Sequence, residues 1–367
     1  MLINNKVRVY LMSKKAVCIK VPKIHGEKAI ILANKLKIVK KELEIQRNKN
    51  FIYIPLVHKP SESELKILTE QVPNSKILTH RFRERKKRAK TFVELLESKL
   101  PAHLLASLPR PIDFVGNIAI IQIPQELDAH KSTIGEAILE THKNVRTVLA
   151  KAGAISGTYR LREFSVIAGE PKTETIYKEY NCQYYVDLAK AYFSPRLSYE
   201  HSRVASLVKE SETVVDLFAG VGPFAIQIAK TRKNTEVYAV DVNPDAVEFL
   251  KKNVMLNRVE GKVHPILGDA KQVVKERLTG VADRVIMNLP EKAIEFVEAA
   301  CKALKPEGGM VHFYSFVGVP NSLENVKLRF VEAVEECGRR VEKILFSRLV
   351  RATAPYEWQA VLDAKIH

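Results

Sequence analysis

From residue 213 to the end of the chain, short apolar runs alternate with amphipathic segments whose apolar residues recur at helical spacing. The runs predict strands over 213–218, 237–241, 263–267, 284–288, 310–315, 343–349 and 358–364. The helix after Asp241 has a clear start: Asn243 caps it, Pro244 takes its first turn, and Val247, Leu250 and Val254 line one side. Such alternation predicts a doubly wound, mostly parallel sheet that takes a ligand outside the carboxyl ends of its strands. The last two strands have no long helix between them and should pair antiparallel.

Upstream the pattern is less regular. Strands over 17–21 and 51–56, with a helical segment from Gly26 and Glu27 between them, predict a small α/β unit. The run Arg81-Phe-Arg-Glu-Arg-Lys-Lys-Arg-Ala-Lys90 is too charged to bury and is read as a linker. A helix over 91–99, a break at Pro101, a strand over 117–123 and a long helix over 131–149 follow. Residues 157–163 and 170–189 are read as strands of a second sheet, and 186–197 leads into a helix carrying Glu200, His201 and Arg203. The boundaries are 1–78 for the N-terminal unit, 79–90 for the linker, 91–195 for a mixed α/β domain and 196–367 for the doubly wound domain.

Composition adds a partner class. Across 367 residues the chain carries a formal charge of +17, and a basic protein of this kind most often meets a polyanion, nucleic acid before an anionic membrane. Lys35, Lys37, Lys40 and Lys41 form one basic cluster suited to RNA. No apolar run is long enough to span a bilayer and the start does not read as a signal peptide, so a cytoplasmic location is expected. Cys18, Cys182, Cys301 and Cys337 lack the paired spacing of a zinc site or a disulfide framework, so no metal is expected.

Candidate chemistry centres on Asp216-Leu-Phe-Ala-Gly-Val-Gly-Pro-Phe224, a strand end, a bend at Gly220 and Gly222, and a helix opened by Pro223. The bend suits either a dinucleotide or S-adenosylmethionine. Two residues favour the second. Pro223 removes an N–H that a pyrophosphate needs, and Asp216 would repel phosphates while attracting a sulfonium and an amino group. Asp241, at the next strand end, suits ribose hydroxyls, and Asp269 in Leu-Gly-Asp-Ala270 suits an adenine amino group; an aspartate at a strand end is more often a turn former or helix cap, and it is the order of the two along one sheet that favours the ligand reading. At the fourth strand end, Asn288-Leu-Pro290 offers a side-chain oxygen to an N–H and a rigid bend to a planar base.

The combination of Tyr192-Phe-Ser-Pro-Arg-Leu197, Asp216 to Phe224 and Asn288-Leu-Pro290 resembles the archaeal and eukaryotic tRNA (guanine-37-N1)-methyltransferase family, from about Val17 onward. The resemblance implies a Rossmann-like methyltransferase domain using S-adenosylmethionine. It implies a mixed α/β RNA-binding domain before it and a small N-terminal domain for the outer corner of tRNA. No obligate protein partner is evident.

The same resemblance implies site roles. Glu200 matches the proton acceptor, Arg160 the residue steadying guanine oxygen 6, and Asn288 and Pro290 the acceptor loop. Tyr192, Asp241, Val242, Asp269 and Ala270 match the donor contacts, with Asp216, Gly220 and Gly222 at the bend. Position 201 is arginine in some relatives, so the donor contact of His201 is open. A wybutosine-pathway relative, moving the aminocarboxypropyl group or methylating 4-demethylwyosine, is the alternative; a tRNA-binding protein without catalysis is a more distant one.

Overall fold

The computed structural model describes residues 13–85, 91–153, 157–318 and 322–367. The chain divides into two compact units between residues 89 and 90.

The first unit contains β1 (Ser13–Pro22), α1 (Gly26–Lys35), β2 (Gln46–Arg47), β3 (Phe51–Pro55), α2 (Glu62–Gln71) and β4 (Lys76–Arg83). Its antiparallel sheet runs β2-β3-β1-β4. Ile19, Val21, Ile54, Leu56 and Leu68 fill the space under the two helices. The start of the expected 79–90 linker is corrected here: Thr79 to Arg83 belong to β4, with Phe82 fully buried. An edge strand tolerates charges on its outward positions, which is why the run read as linker. Residues 86–90 of that run lie outside the described residues. Lys35, Lys37 and Lys41 are exposed.

The second unit begins with α3 (Phe92–Leu96), α4 (Ala102–Leu105), β5 (Ile112–Val115), β6 (Ile118–Ile121), α5 (Lys131–Thr141), β7 (Thr147–Lys151) and β8 (Phe164–Gly169). Strands β5 to β8 form a sheet in sequence order. The long helix expected over 131–149 therefore stops at Thr141, and its final residues are β7. Ile134, Ile138, Val145 and Val148 keep a helical spacing across the join, but the β-branched Thr147 and Val148 pair in parallel with β6. Residues 157–160 are a turn, and no strand begins between them and Phe164. Residues 170–189 hold a two-stranded sheet of β9 (Glu174–Glu179) and β10 (Cys182–Asp187).

After α6 (Ser198–Leu207) come β11 (Thr213–Asp216), α7 (Pro223–Thr231), β12 (Glu236–Asp241), α8 (Pro244–Asn257), β13 (Val263–Leu267) and α9 (Ala270–Val273). Then follow β14 (Arg284–Met287), α10 (Val297–Ala303), β15 (Gly309–Gly318), α11 (Leu323–Glu336), β16 (Val341–Ala354) and β17 (Glu357–Ile366). The sheet order is β13-β12-β11-β14-β15-β17-β16. Its first five strands are parallel, while β17 pairs antiparallel with both β15 and β16. Strand order reverses between β11 and β14, where a crevice opens at the carboxyl ends.

The β9–β10 hairpin is tied to this sheet through α8. Asn253 Oδ1 accepts from the Tyr185 amide (2.6 Å), and its Nδ2 donates to the carbonyls of Tyr185 and Val221 (both 3.0 Å). Asn257 holds both backbone groups of Gln183 in the same way. Two buried amides thus act as a third strand for the hairpin and clamp the bend that contains Val221.

Candidate functional site

The bend after β11 needs two left-handed residues, and only glycine takes them freely: φ is +55° at Gly220 and +93° at Gly222. Their surroundings differ. A Cβ at Gly222 would lie 2.3 Å from Leu250 Cδ1, whereas one at Gly220 would meet nothing nearer than the Tyr192 carbonyl at 3.9 Å. Gly222→Ala should therefore cost about 2–4 kcal/mol of stability from strain plus overpacking, measured by denaturant unfolding. Gly220→Ala should weaken donor binding more than it weakens the fold, and equal stability losses for the two would contradict this.

A cavity of about 290 Å³ opens at the switch point, lined by the bend, the ends of β12 and β14, the 157–160 turn and the Tyr192 segment. Arg160, Tyr192, His201, Gly220, Asp241, Val242, Asp269, Ala270, Asn288 and Pro290 all line it. Three expected residues do not: Asp216 and Glu200 are fully buried, and Gly222 packs on Leu250.

Asp241 accepts from the amides of Gly220 (2.7 Å) and Asn243 (2.9 Å), and burial raises its pKa above the usual carboxylate value. Each oxygen keeps a lone pair for a hydroxyl. Asp269 caps α9, one oxygen accepting from Lys271 (2.9 Å) and Gln272 (3.1 Å), so the cap and a ligand contact can coexist. Asp216 accepts from the Phe218 amide (3.3 Å), while its other oxygen is buried without a partner among the described residues. Burial pushes its pKa up to about 7. His201 Nδ1 pairs with the buried Glu179 at 2.7 Å, and its ring stands edge-on to Phe224.

Glu200 is not poised to take a proton in this state. Oε2 accepts from Arg203 Nε (3.0 Å) and the Tyr314 hydroxyl (2.9 Å), and Oε1 accepts from Arg348 Nη2 (2.6 Å). Arg203 in turn grips Asp363, whose other partner is His312, and a buried charged network continues under the sheet. Burial, followed by the nearby Glu200 charge, holds the Tyr314 hydroxyl well above its ordinary pKa, so it stays a donor.

On the acceptor side, Arg160 (φ +55°) comes from the turn, lies 5.8 Å from the Tyr192 ring and pairs with Glu291 beside the Asn288-Leu-Pro290 loop. The sequence alone does not single out Arg351, Gln359 or Ser194. Arg351 donates to the hydroxyls of Tyr192 (3.1 Å) and Ser194 (3.2 Å) and to Gln359 Oε1 (2.9 Å); Gln359 Nε2 donates to Asn288 Oδ1 (3.0 Å). The only available signal was the serine within the Tyr192-Phe-Ser motif.

The cavity suits a cationic nucleoside better than a dinucleotide. The orphaned Asp216 oxygen beneath the bend is unfavourable to phosphates, and Pro223 offers no N–H at the start of α7. Sheet order, glycine bend and acidic strand ends together define a methyltransferase of the doubly wound class.

Comparison with known proteins narrows the class. Residues 175–343 match the TRM5/TYW2 methyltransferase domain, 92–173 the TYW2 N-terminal domain and 18–64 the tRNA methyltransferase 5 N-terminal domain. The chain is 37% identical over 350 residues to the tRNA (guanine(37)-N(1))-methyltransferase Trm5b of Pyrococcus abyssi, covering 95% of this chain and 98% of that one. The crystal structure of that relative superposes with a TM-score of 0.72 at 36% identity, over 96% of this chain and 99% of that one. A complex of aTrm5 with tRNALeu gives 0.72 at 33% identity, over 96% and 100%. The tRNA 4-demethylwyosine(37)-methyltransferase Taw21 of Saccharolobus solfataricus is 36% identical, but over 69% of this chain and 93% of that one. The chain belongs to the TRM5/TYW2 methyltransferase family.

Proposed function

We propose that the protein transfers the methyl group of S-adenosylmethionine to nitrogen 1 of guanine 37 in tRNA. The observation that carries this reading is the convergence of Arg160, Tyr192, Gly220, Asp241, Asp269 and Asn288 on one cavity at the switch point. Extent of similarity supports it over the wybutosine-pathway alternative, since the match to Trm5b includes the N-terminal unit and the match to Taw21 is confined to a shorter stretch. The basic surface of the N-terminal unit, with Lys35, Lys37 and Lys41 exposed, suits the outer corner of tRNA. No helix among the described residues is long and apolar enough to cross a membrane.

Asp241 would hold the ribose of the donor, Asp269 and Ala270 its adenine, and Tyr192 the remaining wall, with Asp216 supplying negative charge below. When bound, S-adenosylmethionine supplies an electrophilic methyl group. Guanine nitrogen 1 must lose a proton as it is methylated, and negative charge moves to oxygen 6. Arg160, which lines the cavity and pairs with Glu291, would stabilise that charge. The proton goes to Glu200 in this reading, which requires Arg348, the more exposed of its two arginine partners, to release Oε1.

Transcripts differing only at position 37 test the proposal: labelled methyl should enter those with guanosine and not those with adenosine or uridine. Arg160→Ala should lower single-turnover rate by about 10²-fold while changing tRNA affinity little. A loss confined to affinity would make Arg160 a phosphate contact.

A further inference from the structure

We infer that Arg351 and Gln359 fix the hydrogen-bond polarity of Asn288, so that its amide nitrogen, and not its amide oxygen, is turned to the acceptor base. The relay is read from chemistry that allows one direction only. A guanidinium can only donate, so the Gln359 atom 2.9 Å from Arg351 Nε is its oxygen. Gln359 is 1% exposed, so water does not substitute for either partner. Its nitrogen then faces Asn288 at 3.0 Å, and the Asn288 atom that receives it is the oxygen. Arg351 is itself held by Tyr192 and Ser194, which ties the orientation to the wall of the donor cavity.

Asn288 lines the cavity, and among the described residues no group accepts from its nitrogen. This reverses the expectation that its side-chain oxygen would accept from an N–H of the base. The inference rests on the guanine reading above. Beside its N1–H, guanine presents one acceptor, oxygen 6, where adenine presents an amino donor. An amide N–H at Asn288 therefore matches oxygen 6, joins Arg160 in stabilising the charge that develops there, and disfavours purines that carry an amino group at position 6. Gln359 and Arg351 become positioning residues that act through Asn288.

Gln359→Glu tests the direction. A carboxylate still accepts from Arg351 but also accepts from Asn288, which turns the asparagine oxygen towards the base. Single-turnover rate on guanosine-37 transcripts should fall about 10²-fold, the size of one lost donor, with KM for tRNA, donor Kd and Tm close to wild type. Gln359→Leu, which leaves Asn288 undirected, should fall less. Inosine-37 transcripts keep oxygen 6 and lack the 2-amino group, so they should show the same loss in Gln359→Glu. Wild-type rates in Gln359→Glu would overturn the inference. So would a deficit that disappears on inosine, because Asn288 would then be addressing the 2-amino group. A wild-type protein that leaves guanosine-37 transcripts unmodified sinks the underlying reading, and the inference with it.

Discussion

Replacing Glu200 by glutamine should lower both stability and methyl transfer, and the two losses have different causes. The carboxylate sits between Arg203, Arg348 and Tyr314 with no exposure, so the substitution leaves two guanidinium groups facing a neutral amide. Breaking a buried pair of this kind costs about 3–5 kcal/mol. Separately, the proposed role of Glu200 as proton acceptor predicts that single-turnover methylation slows by about 10²-fold with donor binding nearly unchanged. Assays at a temperature where the variant remains folded separate the effects. A variant that melts earlier but turns over at the wild-type rate would assign Glu200 to the buried network alone.

Asp216→Asn should act in the opposite sense on stability. The unfolded chain ionises this carboxyl near 3.8, and burial moves the folded value up to about 7. The fold therefore favours the protonated form: its advantage is full below about pH 4 and is lost as pH rises through 7. A shift of this size corresponds to about 4 kcal/mol, of which the neutral amide should recover about 2 above pH 8 because its own nitrogen also lacks a partner. Thermal melts should show the gain at pH 8 and none at pH 4. Donor affinity at pH 8 should fall about tenfold or more, since a negative charge beneath a cation is removed. Unchanged stability at pH 8 would mean that the orphaned oxygen is solvated.

Much of this architecture is legible in the residues, and the failures have physical causes. β14 is buried along its whole length and reads as a continuous apolar run, and β12 and the edge strand β13 keep enough apolar residues between turn residues to be found within a residue or so. The start of α8 is equally plain because Asn243 accepts from the Asp245 amide and Pro244 follows it. Arg160 shows the opposite case. Its residue type marks it for anion chemistry, but a non-glycine residue at positive φ carries no local signal for the turn that places it.

Long-range partners are the other gap. Glu200 can be placed on a helix, but Arg348 lies 148 positions away on a strand with four register shifts, and no spacing rule connects them. The relay from Arg351 to Asn288 is hidden for the same reason. It exists only because the antiparallel β16–β17 pair brings Arg351 opposite Gln359, beside the loop after β14.

The most direct test of the central claim is the identity of the product nucleoside. The protein is incubated with S-adenosylmethionine carrying a deuterated methyl group and a guanosine-37 transcript, and the digested RNA is resolved by chromatography and mass spectrometry. The account predicts 1-methylguanosine bearing the deuterated methyl, released from position 37 alone. A label on another atom or nucleoside, or an aminocarboxypropyl adduct in place of methyl, would contradict it.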